Sequence, residues 1–343
     1  MSQTQQAFCP AQETLSPGRR HGQARRLVNT RALDHRAWLA IRQSGIGSSD
    51  AAAAVGLNPY QSPLTLWMEK TGRGASESSD RRQDRLQCPL HWGTVLEPIV
   101  AEHYAQHTGR KVRRVNAILQ HTEHSWMLAN LDREVVGSED VQILECKTAG
   151  MHGAKLWQYG VPEYVQLQVM HQLAVTGHQA ADVAVLIAGQ QLEIHRIERD
   201  EAMIEQLIAL EAQFWRSVEQ DVPPPADASD SAGQALRRLY PRDSGQTVDF
   251  SDDADLCEVF ARLQRVRDEL AQRGQEEAQL RHTLQQAMGE ATVAQFPTGR
   301  VRWKQTAPVN RLNTQALKAD HPDLVAAYQK ESPGQRRFVM LDS

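Results

Sequence analysis

Apolar positions along this chain change period several times, and each change marks an element. In "NTRALDHRAWLAIRQ", Leu33, Trp38 and Ile41 share one helix face, and order is expected to begin there. "GRGASESSDRRQDR" has no period and reads as a surface loop. In "HWGTVLEPIVAEHYAQHTG", Val95, Ile99, Val100 and Tyr104 fall near helical spacing, and Gly109 stops the helix. "KVRRVNAILQHTEHSWMLANLDREVVGSEDVQILECKTAG" holds short β-branched runs between turn formers, with "GSED" as a hairpin turn, which predicts several antiparallel strands. "EYVQLQVMHQLAVTG" is a second helix with a glycine stop. "AADVAVLIAG" and "QLEIHRIER" are two further strands, and "DEAMIEQLIALEAQFWRSVEQ" is a helix with an acidic start. Helix, strands, helix, strands, helix predicts an α/β or α+β core ending near Asp221.

Beyond it, "VPPPADASDSAG" reads as a linker. Leu256, Phe260, Leu263, Val266 and Leu270 then recur every three or four residues, followed by Leu280, Leu284 and Met288. This narrow seam in a charged segment fits either a coiled coil or an antiparallel helical hairpin broken at Gly274. "ATVAQFPTGRVRWKQT" predicts a small β-hairpin. The expected division is a disordered basic arm over 1–30, a core domain over 31–222, a linker over 223–250 and an extension over 251–343.

At 343 residues and 41% hydrophobic, the chain can bury a large core or two ordinary ones. A net charge of -4 excludes a polycation, so any nucleic-acid contact must use locally concentrated charge. No apolar run is long enough to cross a membrane. Cys9, Cys88, Cys146 and Cys257 are scattered and form no CxxC pair, which points to a reducing, cytosolic setting and away from a disulfide or zinc framework. The first thirty residues lack the apolar segment of a secretory signal and the amphipathic period of a transit peptide.

Two stretches carry candidate chemistry. In "QSGIGSSDAAAAVGLNPYQSPLTLWMEKTGR", glycines and serines precede an alanine run, so a helix is expected to start near Ser48 to Asp50. Free N–H groups beside two hydroxyls there suit an anion; ordinary capping is the alternative. In "ILECKTAG", Glu145 and Lys147 lie two apart and point to the same strand face, and a hairpin partner can bring Asp132 of "LANLDREV" beside Glu145. Two carboxylates and a backbone carbonyl suit Mg²⁺, and a neighbouring lysine can orient water and stabilise charge on a phosphate. An exposed surface pair is the plain alternative, but Ile143 and Leu144 suggest a buried setting.

Together these motifs resemble the YqaJ-type viral recombinase nucleases, relatives of lambda exonuclease within the PD-(D/E)XK fold. The resemblance spans about Trp38 to Trp215. It rests on the "GIGSSD" opening, "WGTVLEP" with Glu97, "ANLDREV" with Asp132, "LECK" with Glu145 and Lys147, and the glutamine helix led by Gln168. Arg133 stands where members often have glycine, and Met170 where a second glutamine is common. The resemblance implies a restriction-endonuclease-like core with a mixed sheet flanked by helices. Asp132, Glu145 and the Cys146 carbonyl would bind Mg²⁺, with Mn²⁺ able to substitute, and Glu97 would reach a second ion. Lys147 would position the attacking water, and Gln168 would orient the metal site or scissile phosphate. Arg42 and Ser49, with Ser48, would bind a 5′-phosphate. The implied activity is ATP-independent 5′-to-3′ degradation of one strand of duplex DNA. It would act as a ring-shaped homotrimer, in a bacterial or host cytosol, and leave 3′ overhangs for a RecT-like annealing protein. A structure-specific or restriction-like endonuclease and a non-catalytic DNA-end scaffold are the rival readings.

Other signals carry less. His121 and His124 have ligand spacing but no third partner nearby. His171 reads as a partly buried packing histidine, with substrate contact as the alternative. Arg110, Lys111, Arg113 and Arg114 form a basic patch suited either to solvent or to a DNA backbone. "GIGSSD" lacks the ending of a nucleotide P-loop.

Overall fold

The computed structural model describes residues 21–74, 89–330, 334 and 336–341. Most of the expected arm, Cys9, Cys88 and all but the start of the expected "GRGASESSDRRQDR" loop lie outside the described residues. The chain divides into a unit reaching Pro241 and a second from Arg242 onward.

In the first unit, a five-stranded mixed sheet is ordered β3-β6-β7-β8-β9. Its strands are β3 (Lys111–Arg114), β6 (Arg133–Val136), β7 (Ile143–Ala149), β8 (Ala180–Ile187) and β9 (Gln191–Glu198). Strands β7 and β8 are parallel and joined through helix α5 (Glu163–Thr176); the other pairings are antiparallel. Parallel neighbours need such a crossover, and the crossover covers one sheet face. That face packs Ile143, Val183 and Val185 against Val165, Val169 and Leu173 of α5, with α6 (Glu201–Glu219) adding Ile204 and Leu207. The opposite face packs Leu144 and Ala184 against Val100, Ala101 and Tyr104 of α4 (Pro89–Thr108). Ile143 and Leu144 therefore belong to opposite cores, as strand alternation requires. Gly109 and Gly177 both take positive φ after α4 and α5, where left-handed backbone ends a helix.

A second sheet, ordered β1-β4-β5-β2, holds β1 (Arg25–Asn29), β2 (Ile46–Gly47), β4 (Ala117–Gln120) and β5 (Met127–Ala129). Strand β1 corrects the expected arm: residues 25–29 pair antiparallel with β4. Strand β2 follows α1 (His35–Gln43) and runs parallel to β5. It brings the "GIGSSD" segment to the first unit's centre. Gly45 is required there, since a Cβ would fall 2.5 Å from the Trp126 carbonyl oxygen.

The expected linker is also only partly a linker. Within it, α7 (Asp230–Leu239) buries Ala232 and Ala235. Its Ser231 hydroxyl accepts the Ser62 N–H at the start of α3 (Pro63–Lys70). Alanines spaced three apart let a short polar helix dock closely, a cue outweighed in the sequence by the prolines before it.

The second unit contains one unbroken helix, α8 (Ala254–Met288), with no break at Gly274. The small hairpin is β10 (Val293–Phe296) with β11 (Gly299–Arg302), followed by α9 (Thr314–Asp320) and α10 (Pro322–Tyr328).

Candidate active site

The site lies on the α5-facing side of β7. In the β6–β7 register Arg133 is opposite Leu144, which sets Asp132 level with Glu145. Asp132 Oδ2 accepts the Cys146 N–H at 2.8 Å. Glu145, with Ile143 and Lys147, faces α5. Its Oε1 accepts from Gln168 Nε2 at 2.6 Å and pairs with Lys147 Nζ at 2.7 Å, while its Oε2 accepts from Gln172 Nε2 at 2.8 Å. Lys147 Nζ also donates to Gln168 Oε1 at 2.8 Å. Glu145 is thus 3% exposed yet held on both oxygens.

Burial pushes the Asp132 carboxyl up to about 8, helped by the neighbouring Glu145 carboxylate. Burial by itself would lower the Lys147 ammonium, but Glu145 and Asp132 outweigh it and hold it above the usual lysine range. Lys147 is therefore a proton-bearing donor. Two buried carboxylates beside a strand carbonyl are hard oxygen donors of the kind Mg²⁺ takes, and a cation between them would reverse the pressure on Asp132. Asp132 and Glu145 are the two carboxylates placed for such an ion. Among the described residues, no three His, Cys, Asp or Glu side chains converge on a metal position. Glu97 on α4 instead takes Arg133, whose Nη1 donates to Glu97 Oε1 and, at 2.6 Å, to the Asp132 carbonyl. Arg133 is 5% exposed and fills space that glycine would leave open.

The "GIGSSD" segment forms a 3-10 turn, Ser48–Asp50, running into a four-residue helix, α2 (Ala51–Ala54). Gly47, not a serine, is the cap, and its N–H donates to Asp50 Oδ2 at 3.1 Å. So short a helix contributes little dipole, and the positive character here comes from side chains. Arg42 Nη2 donates to Ser49 Oγ at 3.1 Å and to Asp50 Oδ1, and its guanidinium lies 5.0 Å from the Trp38 ring centre. Lys70 Nζ, buried, donates to Asp50 Oδ2 at 2.6 Å and to the Arg42 carbonyl at 2.7 Å. Burial alone would raise the Asp50 carboxyl, but Lys70 and Arg42 hold it below the usual range. A cavity of about 200 Å³ is lined by Arg42, Ser48, Ser49, Asp132 and Gln168 together. One cavity thus reaches both candidate groups.

Reading the sequence missed Gln172, Asp50 and Lys70. Gln172 lies one helical turn beyond Gln168, a spacing that could have revealed it.

The packing reading of His171 holds, with burial complete rather than partial. His171 is fully buried, and both ring nitrogens face acceptors: Nδ1 is 2.8 Å from Glu211 Oε1, and Nε2 is 3.0 Å from the Leu128 carbonyl. It packs in the interior with both ring nitrogens partnered. His121 Nδ1 accepts the N–H groups of Glu123 and His124, a local turn. In the basic patch, Arg110 pairs with Asp140 and Asp182, and Arg113 pairs with Glu134, so half of its charge is already matched.

Residues 37–179 match the model of the YqaJ-like viral recombinase domain. The chain is 33% identical to the uncharacterized protein YqaJ of Bacillus subtilis (strain 168) over 301 residues, covering 86% of this chain and 91% of that one. Among solved structures, an alkaline exonuclease from Laribacter hongkongensis is 20% identical with a TM-score of 0.44, covering 60% of this chain and 98% of that one. A phage-related exonuclease from Haemophilus somnus 129PT is 11% identical with a TM-score of 0.37, covering 53% and 97% respectively.

Proposed function

Because the chain belongs to the YqaJ-like viral recombinase family, we propose that it is a magnesium-dependent exonuclease. It degrades one strand of linear duplex DNA from the 5′ end without ATP. The 3′ overhang serves a RecT-like single-strand-annealing protein in the cytosol. A ring of three copies would keep the enzyme on its track. The observation that carries the reading is the single cavity lined by Arg42 and Ser49 as well as Asp132 and Gln168.

In this reading, Arg42 and Ser49 hold the terminal 5′-phosphate through charge-assisted hydrogen bonds. The next phosphodiester then meets Asp132, Glu145 and Lys147. Asp132, Glu145 and the Cys146 carbonyl would hold Mg²⁺, or Mn²⁺ in its place, which supplies Lewis-acid polarisation of the phosphate. Lys147 orients the attacking water and offsets charge on the phosphoryl oxygens as a donor, since its proton is retained. Gln168 fixes Lys147 and Glu145 together. Water adds at phosphorus and the bond to the terminal nucleotide's 3′ oxygen breaks. A mononucleotide leaves, and the shortened strand carries a new 5′-phosphate for the same pocket. A second ion would require Glu97 to be released from Arg133.

The test compares linear duplexes with 5′-phosphate and 5′-hydroxyl ends, in Mg²⁺ and in chelator, beside a covalently closed circle. Faster loss of the phosphorylated end, only with Mg²⁺ and with the circle untouched, is expected. Equal digestion of the two ends would remove the pocket. Nicking of the circle would make the protein an endonuclease, and binding without cleavage would make it a scaffold.

A further inference from the structure

We propose that α8 pairs with the α8 of a second copy as an antiparallel two-stranded coiled coil. The inference does not depend on the nuclease reading. Of its 35 residues, only Met288 is buried. Leu256, Leu270 and Leu280 are 42%, 66% and 61% exposed. A helix this long with an uncovered apolar stripe lacks the packing that normally supplies helix stability in water.

The stripe has a strict heptad register. Leu256, Val259, Leu263, Val266 and Leu270 alternate steps of three and four, and Leu280, Leu284 and Ala287 resume the same register. Two polar residues interrupt it: Arg273 and Glu277 occupy the intervening seam positions. Their placement selects the partner. In a parallel pair each residue meets its own copy, so arginine would face arginine and glutamate would face glutamate in the seam. In an antiparallel pair centred on Gln275, each Arg273 faces Glu277 of the second copy. The same register sets Leu270 against Leu280, Val266 against Leu284 and Leu263 against Ala287. Shifting by one heptad would set both charges against apolar positions. This register matches every seam position from Leu263 to Ala287 within the paired helices and leaves Leu256 and Val259 beyond the paired length, which is how polar seam residues specify alignment.

Shape agrees with this pairing. An open groove of about 550 Å³ is lined by Leu280 and Leu284 of α8, by Val301 of β11 and by Trp303 just after it. In the stated register, Leu270 and Val266 of the second copy enter that groove. Beside the seam Phe260 faces Met288. Arg267 faces Arg281, but both lie beside the seam and are open to solvent, so that repulsion is screened.

The test measures the mass of the full chain by sedimentation equilibrium over a range of concentrations. Wild type is compared with Arg273→Glu and with the exchange Arg273→Glu/Glu277→Arg. Arg273 is exposed in the single chain, so reversing it should leave the fold intact, as circular dichroism would verify. Wild type should associate by twos, whatever assembly the first unit makes. The single reversal creates two like-charge contacts and should weaken that association by about 100-fold. The exchange should restore it. An unchanged mass for the single reversal overturns the proposal, as does failure of the exchange to rescue. Association that is indifferent to both the reversal and the exchange would place the contact outside the α8 seam. Association that appears only with an annealing protein would indicate a different occupant. Either result also overturns it.

Discussion

The Asp50–Lys70–Arg42 network offers the sharpest test of how the "GIGSSD" segment is held. The Lys70 and Asp50 side chains are 4% and 5% exposed, and their charges meet at 2.6 Å. Removing one partner of a buried pair costs about 3–5 kcal/mol, because the other charge is left without compensation. Lys70→Met belongs at about 3 kcal/mol by that rule, since Asp50 keeps Arg42 and the Gly47 N–H. Asp50→Asn belongs near the upper end, about 5 kcal/mol, since Lys70 loses the carboxylate charge it pairs with while the Arg42 guanidinium adds repulsion. The double variant removes both charges. It should lose far less than the sum, with a coupling of about 3 kcal/mol.

Urea unfolding of the first unit measures these losses through Trp67, which is buried and whose indole N–H donates to the Ser217 carbonyl at 3.1 Å. The pH dependence gives a second reading. Burial already lowers the Lys70 ammonium in the wild-type fold, with Asp50 opposing. Without Asp50 it falls further, so the unfolded chain binds more protons than the folded one at alkaline pH. The Asp50→Asn deficit should therefore shrink as pH rises from that lowered value toward the ordinary lysine range. Arg42 also loses its anchor, so any preference for 5′-phosphate ends should fall in Asp50→Asn more than in Lys70→Met. Single variants within about 1 kcal/mol of wild type, or strictly additive losses, would refute the reasoning.

Three further outcomes follow from the site. Lys147→Ala should lower single-turnover cleavage of a linear duplex by about 10²-fold or more while duplex binding, measured by anisotropy, persists. Arg133→Gly releases Glu97, and Mn²⁺ bound per chain, counted by electron paramagnetic resonance, should rise from one to two; an unchanged count would show that Arg133 does not govern Glu97. His171 is held above the usual histidine range: burial opposes this, but Glu211 outweighs it. Its stabilisation is complete below about pH 6.5 and lost as pH rises through the folded value, so melting temperature should fall over that range in wild type and stay flat in His171→Gln/Glu211→Gln.

Elements with a clean period were legible in the sequence. The helix at 163–176 and the strands at 143–149 and 180–187 lie where their patterns put them, because their apolar residues face one another. Strand alternation put Glu145 and Lys147 on one face, and the hairpin brought Asp132 level with Glu145. What stayed hidden was long-range. The strand at 25–29 is charged and pairs with residues some ninety positions away, so no local pattern could announce it. No local pattern marks Lys70; only folding buries it against Asp50. Arg133 stood out as an oddity, but its partner Glu97 is on another element.

The hidden residues share a physical role. A site with Asp132 and Glu145 side by side is locally unfavourable, as the raised Asp132 carboxyl shows. The fold tolerates it because neighbouring groups take up the strain: Gln168 and Gln172 occupy both oxygens of Glu145, Lys147 offsets its charge, and Cys146 donates to Asp132. The opening segment repeats this logic with the sign reversed. Arg42 and Lys70 crowd together and Asp50 stands between them. Each half thus concentrates charge of one sign and holds it with a single opposing group. In the cavity they share, Asp132 suits a cation and Arg42 suits an anion. Under the proposed function, a phosphate diester entering with a metal ion would use both.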